Sequence, residues 1–274
     1  MKNKIFTCPV CGQVLEFSEK SGICPKQHLF DRAKSGYVNL LLSKHIGKTV
    51  HGDNKLMVKA RREFLDRGYY SPLCEMLCDT VRRYADDESV ILDAGCGEGY
   101  YTDAVKKSVS AEIFGIDISK TAVDYAAKRS RDIFFAAASV FHIPVRSLSC
   151  DILISLFAPY CGEEFSRVLK NHGIMIMAIP SENHLWELKK AVYDTPYKNT
   201  VKPYELQGFD FIGSERISFE TELNSPQDIR SLFSMTPYYY RTGRKEQERL
   251  EALQKLETQC DFELLTYRKS QKEG

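Results

Sequence analysis

Residues 89–101 read SVILDAGCGEGYY, an apolar run that stops in three glycines separated by single residues. A run of this length ending in glycine is the pattern of a strand buried in a parallel sheet. Gly95, Gly97 and Gly99 let the backbone turn sharply and approach a ligand without interference from a Cβ. A dinucleotide fingerprint, G-x-G-x-x-G, would place its third glycine at residue 100, which is Tyr100 here. A pyrophosphate-binding loop is therefore disfavoured. The alternative is a plain glycine turn at the end of a core strand.

The neighbouring sequence repeats the unit. YYTDAVKKS (100–108) has helical character, AEIFGIDIS (111–119) reads as a strand, KTAVDYAAKRS (120–130) as a helix and DIFFAAAS (132–139) as a strand. CDILISLFAP (150–159) is a fourth strand, GEEFSRVLK (162–170) a helix and HGIMIMAIP (172–180) a fifth strand. This alternation predicts an α/β fold, a doubly wound, mostly parallel sheet. The second strand ends at Asp117, 20 residues beyond Gly97, where a carboxylate can accept both hydroxyls of a ribose. Asp93, where the first strand meets the loop, can contact the loop amides or a ligand ammonium. Strand, loop, helix, strand and acid in this register point to a nucleoside cofactor. Upstream, residues 55–85 are helix-prone with a break near Gly68 to Pro72.

The chain has 274 residues, 43% hydrophobic and 27% charged, ordinary values for a globular protein with a sizeable core. No apolar run approaches the roughly 20 residues needed to span a bilayer. The start, MKNKIFTCPV, does not read as a secretory signal. Nine cysteines without such a signal point to a reducing cytoplasm, where metal binding or catalysis is the commoner use of the thiol.

Four of the metal-binding side chains lie at the front. Cys8, Cys11, Cys24 and His28 have the spacing C-x2-C-x12-C-x3-H. Two short pairs separated by a hairpin can place three thiolates and an imidazole at the corners of a tetrahedron, the closed coordination of a structural zinc. A segment this short cannot bury enough apolar area to fold alone, so the metal would supply much of its folding free energy. The bland reading is four unrelated residues. Cys74 and Cys78, four apart on a helix, read as small core residues, and Cys96, Cys150, Cys161 and Cys260 are dispersed.

Net charge is +1, but unevenly spread. Residues 1–62 carry 12 Lys/Arg against 4 Asp/Glu, a net of +8, and the remainder carries 26 against 33, a net of −7. A basic front on an acidic body suits a polyanionic partner, although a solvated lysine-rich surface gives the same count.

DAGCGEGYYT resembles the cofactor loop of class I S-adenosylmethionine-dependent methyltransferases. Together with CPVCG, CPKQHLFDRAKSGYVNLL, ARREFLDRGYYSPL, APYCGEEFSRVLKNHG, HLWELK and MTPYYYR, it resembles one family over nearly its whole length. These are the bacterial 23S ribosomal RNA (guanine-N1)-methyltransferases, similar to tylosin-resistance methyltransferases, which modify a hairpin near the macrolide site. The resemblance implies a small N-terminal zinc-binding domain and a Rossmann-like catalytic domain. The division expected is 1–44 as a zinc-binding, RNA-recognition domain, 45–84 as a linker and helical segment, and 85–274 as the methyltransferase domain. It implies S-adenosylmethionine and one structural zinc as cofactors, 23S ribosomal RNA as partner, no membrane, antibiotic resistance as an outcome and a homodimer.

Residue by residue, Cys8, Cys11, Cys24 and His28 match the family's zinc ligands. Tyr70 and His184 fall on cofactor contacts, and Gly97 and Glu98 lie in the matching loop. Asp117 matches the ribose-binding acid of the wider superfamily. Without the resemblance, Tyr70 reads as a half-buried interface aromatic and His184 as a polar residue at a helix start. Phe157 or Tyr160, in the loop after strand four, could stack on the guanine or simply cap the core. No residue stands out as the base that takes the N1 proton. Lys26, Arg32 and Lys34 are the candidate RNA contacts, and a chain starting near residue 45 is expected to keep the cofactor and lose efficient methylation. PYYYR near the C-terminus could cover the active site, touch RNA or pack on the sheet. Two other classes stay open: a small-molecule methyltransferase with a structural zinc module, and a non-catalytic RNA-binding protein.

Overall fold

The computed structural model describes residues 5–42, 54–201 and 204–271. The start of the expected linker, residues 45–53, lies outside the described residues. The front of the chain forms a small antiparallel sheet of β1 (Glu16–Phe17), β2 (Ser21–Ile23) and β3 (Leu29–Asp31). Next come β4 (Val38–Asn39) and two helices, α1 (Lys55–Asp66) and α2 (Ser71–Tyr84), interrupted at Gly68. Asn54 caps α1 by accepting the Met57 N–H, and Pro72 sits in the first turn of α2.

The α/β body follows the expected order: β5 (Val90–Ala94), α3 (Tyr100–Ser108), β6 (Glu112–Asp117), α4 (Lys120–Arg129), β7 (Phe134–Ala137), β8 (Cys150–Leu156), α5 (Gly162–Val168) and β9 (Leu169–Pro180). Beyond it lie α6 (Trp186–Val192), β10 (Phe209–Leu223), α7 (Pro226–Ser234), α8 (Arg244–Ala252) and β11 (Leu256–Lys269). The main sheet runs β10-β11-β9-β8-β5-β6-β7-β4. Strands β4 to β9 are parallel, and β11 is antiparallel to both β9 and β10. The long β10–β11 pair was not expected from the sequence. β10 is the edge strand and is exposed along most of its length, so it lacks the apolar run that marks a strand between two neighbours.

The two faces of the sheet are covered by different material. One face buries Ile91, Ile113, Phe135, Ile152 and Ile154 beneath helices α2, α3, α4, α6 and α7. The other buries Leu92, Phe114, Phe134 and Leu153 beneath α5 and beneath Ile5, Phe6 and Leu15 of the front segment. The Phe6 ring lies 5.0 Å from Phe134 and 5.6 Å from Phe114. Ile5 accepts the Arg146 N–H at 2.8 Å, and β4 adds Val38 and Asn39 to the edge of β7. The front segment is thus part of the main sheet, because it supplies an edge strand and the cover for β6 and β7.

This arrangement changes what a truncation does. Removing residues 1–44 strips β4 and bares Phe114 and Phe134, so the shortened chain is expected to aggregate instead of binding cofactor. Phe6→Ala in the full chain should cost about 3–5 kcal/mol in urea unfolding, the usual range for a buried phenylalanine. A shortened chain that unfolds cooperatively at the same urea concentration as the full protein would contradict this packing.

Candidate functional site

The turns of the front segment bring the four expected ligands together. Gly12 N–H donates to the Cys8 carbonyl and Gln27 N–H to the Cys24 carbonyl, both at 2.8 Å, closing two knuckles. The ligand atoms of Cys8, Cys11, Cys24 and His28 all lie within 4.8 Å of one another. His28 Nδ1 is 3.5 Å from Cys8 Sγ and 3.3 Å from Cys24 Sγ, and Cys11 Sγ is 3.6 Å from Cys24 Sγ. A tetrahedral zinc with bonds of about 2.3 Å to sulfur and 2.0–2.1 Å to nitrogen needs edges of about 3.5–3.8 Å. The donor set and spacing fit zinc held through Nδ1, with no position left for a substrate. Among the described residues no other such group of ligands occurs.

The second site lies where the carboxyl ends of β5, β6 and β8 meet, at the point where strand order reverses. Gly95, Gly97 and Gly99 have φ of 97°, 55° and 85°. A Cβ on Gly95 would collide with the Ala158 Cβ, so the loop after β8 lies directly on the glycine loop. Asp117 is fixed at the rim. Its Oδ2 accepts the Gly97 N–H at 3.0 Å and its Oδ1 accepts the Ser119 N–H at 2.8 Å.

Asp93 lies below the loop, 3% exposed, and Thr102 donates to its Oδ2 at 2.6 Å. Burial lifts its pKa to about 7 against the pull of the Thr102 hydroxyl, and the Asp117 charge adds to the rise. Glu98 is buried with Arg129, whose Nε and Nη2 donate to its Oε2 at 3.1 and 2.5 Å. Glu98 Oε1, Tyr101 Oη and Ser155 Oγ are buried without a hydrogen-bond partner. Such orphaned atoms around a glycine cradle suit a ligand with its own polar groups.

An aromatic wall stands beside the loop. The Phe262 ring is 4.4 Å from His184, 5.0 Å from Tyr70 and 5.6 Å from Phe157. Tyr70 and His184 are both buried in this aromatic cluster. His184 Nδ1 accepts the Asp261 N–H at 3.2 Å, which assigns the ring proton to Nε2. Burial and then the Lys189 charge hold its pKa down at about 3, against the opposing Asp261 carboxylate. The imidazole is therefore neutral and a donor.

The two aromatic candidates after β8 separate. Phe157 is 47% exposed and holds φ of 56°, an uncommon backbone for a bulky residue. Tyr160 instead packs on Phe165 and Phe209 at 5.6 and 6.5 Å, on the opposite face of the sheet from His184. Its half-buried ring packs against that face, away from Phe157. Of the candidate RNA contacts, Lys26 and Lys34 are exposed. Arg32 is committed elsewhere: its Nε donates to the Gly36 carbonyl at 2.7 Å and its guanidinium lies 5.6 Å over the Phe134 ring. Arg61 and Tyr101, which no sequence signal separated from ordinary helix residues, also lie near the loop. The first arginine of ARREF reads as solvated until α1 is seen to lie against the loop.

Comparison with known proteins adds to this geometry. Residues 6–45 match the zinc-ribbon family described as "RlmA, N-terminal", and residues 85–234 match the methyltransferase-domain family. A Bacillus subtilis (strain 168) protein named for 23S rRNA (guanine-N1) methylation is 28% identical, over 95% of this chain and 96% of its own length. A Micromonospora griseorubida protein named for the same activity is 34% identical, over 66% of this chain and 67% of its own. The 23S rRNA (guanine(748)-N(1))-methyltransferase of Streptomyces fradiae is 34% identical, over 68% of this chain and 66% of its own.

The Asp93 environment has a pH signature. A carboxyl with an ordinary pKa of about 3.9 when unfolded and a raised one when folded costs no stability below pH 4. The cost grows as pH rises and levels off above the folded value of about 7. Asp93→Asn, which keeps an acceptor for Thr102, should therefore be more stable than wild type at pH 8, by about 4 kcal/mol at most. The difference should vanish near pH 4. Urea unfolding without cofactor at pH 4, 6 and 8 checks this, and a pH-independent difference would contradict it.

Proposed function

Because this chain belongs to the 23S rRNA (guanine-N1)-methyltransferase family, we propose that it transfers the methyl group of S-adenosylmethionine to N1 of a guanine in a 23S ribosomal RNA hairpin near the macrolide site. The target we infer is guanine 748, the position named for the Streptomyces fradiae relative. The observation that carries this reading is one sheet bearing both a closed metal ribbon and a glycine loop with Asp117 fixed at its rim.

Bound S-adenosylmethionine supplies a methyl group made electrophilic by its sulfonium. The protein's own part is positioning, which can supply most of the barrier reduction in such a transfer. Asp117, oriented by two backbone N–H groups, is the acceptor for the ribose hydroxyls. Gly95, Gly97, Glu98 and Gly99 form the backbone cradle, with Asp93 beneath. Tyr70 and His184 wall the site. Phe157 offers its exposed ring at the same sheet edge to a guanine taken out of its stack. Neutral His184 donates through Nε2 and does not take the N1 proton. The zinc ribbon, through its exposed Lys26 and Lys34, docks the RNA phosphates. We place the reaction in the cytoplasm, where ribosomal RNA is found, and a second copy of the chain is the further partner that the family resemblance supplies.

Mass-spectrometric mapping of unmodified 23S ribosomal RNA after incubation with the protein and S-adenosylmethionine should find 1-methylguanine at position 748. Asp117→Ala should stay folded and bind S-adenosylmethionine about ten- to a hundredfold more weakly, the effect of losing charge-assisted ribose bonds. No methylated guanine in that hairpin, or unchanged affinity in the variant, would contradict the assignment.

A further inference from the structure

Lys189, in the middle of α6, is 1% exposed, which is rare for a lysine. Its Nζ donates to the Tyr197 carbonyl at 3.1 Å and to Asn199 Oδ1 at 2.7 Å. The same nitrogen lies 4.9 Å over the Tyr197 ring and 4.9 Å over the Tyr238 ring. Among the described residues no carboxylate pairs with it, and burial pulls its pKa down to about 8. Taking a cation out of water without a counter-ion is costly. Here a carbonyl, an amide oxygen and two π faces stand in for the missing solvent.

The ammonium thereby joins three parts of the chain: α6, the segment 193–199 after it and the turn Pro237–Arg241. That segment forms no helix or strand, so side chains and single backbone bonds must fix it. Asp194 pairs with Lys245 and Arg249 of α8. Asn199 donates through Nδ2 to the Ser181 carbonyl at 2.8 Å and through its N–H to the Glu182 carbonyl at 3.0 Å. Tyr238 Oη donates to Asn199 Oδ1 at 3.2 Å.

Between these anchors stands Tyr197. Lys189 holds its backbone and one face of its ring, yet the residue is 45% exposed. Phe157, also exposed, is tied to the same end of β9, because its N–H donates to the Ala178 carbonyl at 3.4 Å. Ala178 and Ser181, the two points of attachment, lie at most about 11 Å apart along the chain. A ring held in place loses little freedom when a flat group stacks on it.

We propose that Tyr197 is a second stacking platform at the mouth of the site, taking a nucleobase next to the guanine held at Phe157, and that Lys189 is the positioning residue that aims it. The proposal rests on the RNA reading above, and adds which part of the body holds the strand beside the target. Stacking on an aromatic face suits every base, so this contact grips the strand without reading its sequence. It also gives the PYYYR turn a role, since Tyr238 completes the box around Lys189.

The test measures methylation of a transcript of the 23S hairpin by the full-length protein, with RNA concentration varied. Tyr197→Ala should raise KM for RNA about five- to a hundredfold, the effect of losing one stacked base, while kcat and calorimetric S-adenosylmethionine affinity stay within about threefold. Tyr197→Phe, which keeps the ring, should stay within about twofold of wild type. Lys189→Met fills the same space without the charge and should raise the same KM. The double variant Tyr197→Ala/Lys189→Met should be no worse in KM than Tyr197→Ala alone, because Lys189 acts through the ring. An unchanged KM in Tyr197→Ala would overturn the proposal, and so would a Lys189→Met penalty that adds in full in the double variant. If urea unfolding shows that Lys189→Met does not fold, the two Tyr197 variants decide by themselves. A wild type that methylates no guanine in the hairpin would overturn the reading of the reaction, and this proposal with it.

Discussion

The contact of Phe6 with Phe114 and Phe134 determines how the rest of the molecule is organised. A sheet that is apolar on both faces needs cover on both. Here one face receives helices along its length, whereas the β6–β7 half of the other receives the ribbon. The ribbon is too small to hold its shape by apolar burial, so four metal ligands must fix it before Phe6 can be presented. Metal binding, cover of the sheet and the edge strand β4 are therefore parts of one folding event. The same sheet carries the glycine loop and Asp117 at its carboxyl edge, which couples the ribbon to the cofactor site through β6.

Electrostatics divide the cofactor region into layers. Asp93 is buried deeply enough for its pKa to rise to about 7. Glu98 is also lifted by burial but is held against Arg129. Asp117, nearer the surface, is satisfied by backbone N–H groups. The acids thus differ in setting: Asp117 stands at the rim of the loop, while Glu98 Oε2 ties the loop to α4. On the other side, burial keeps His184 neutral within the aromatic cluster around Phe262.

Much of this was legible in the sequence because it depends on local geometry. The spacing within LDAGCGEGYY fixed strand, turn and helix, and the distance to Asp117 followed from a single βαβ unit. C-x2-C-x12-C-x3-H predicted the metal site for the same reason: each pair sits on its own turn. What was not legible depends on which surfaces meet. Phe157 and Tyr160 are three residues apart, but the left-handed backbone at Phe157 turns the chain and sends the rings to opposite faces. Arg32 looked like a phosphate contact until Phe134 was seen beneath it. The charge excess of the front segment likewise overstated its free cations, because Arg32, Arg61 and Arg62 make contacts within the fold. β10 hid among polar residues, and β4 is too short to declare its partner.

Hydrogen exchange across β7 before and after removal of zinc tests the dependence of the sheet on the ribbon most directly. If the metal-fixed ribbon holds Phe6 and β4 in place, chelation should sharply accelerate exchange of the amides of residues 134–137, with slower strands such as β8 affected less. Loss of protection confined to residues 5–31, with β7 unchanged, would show that the sheet stands without its ribbon and would contradict the account.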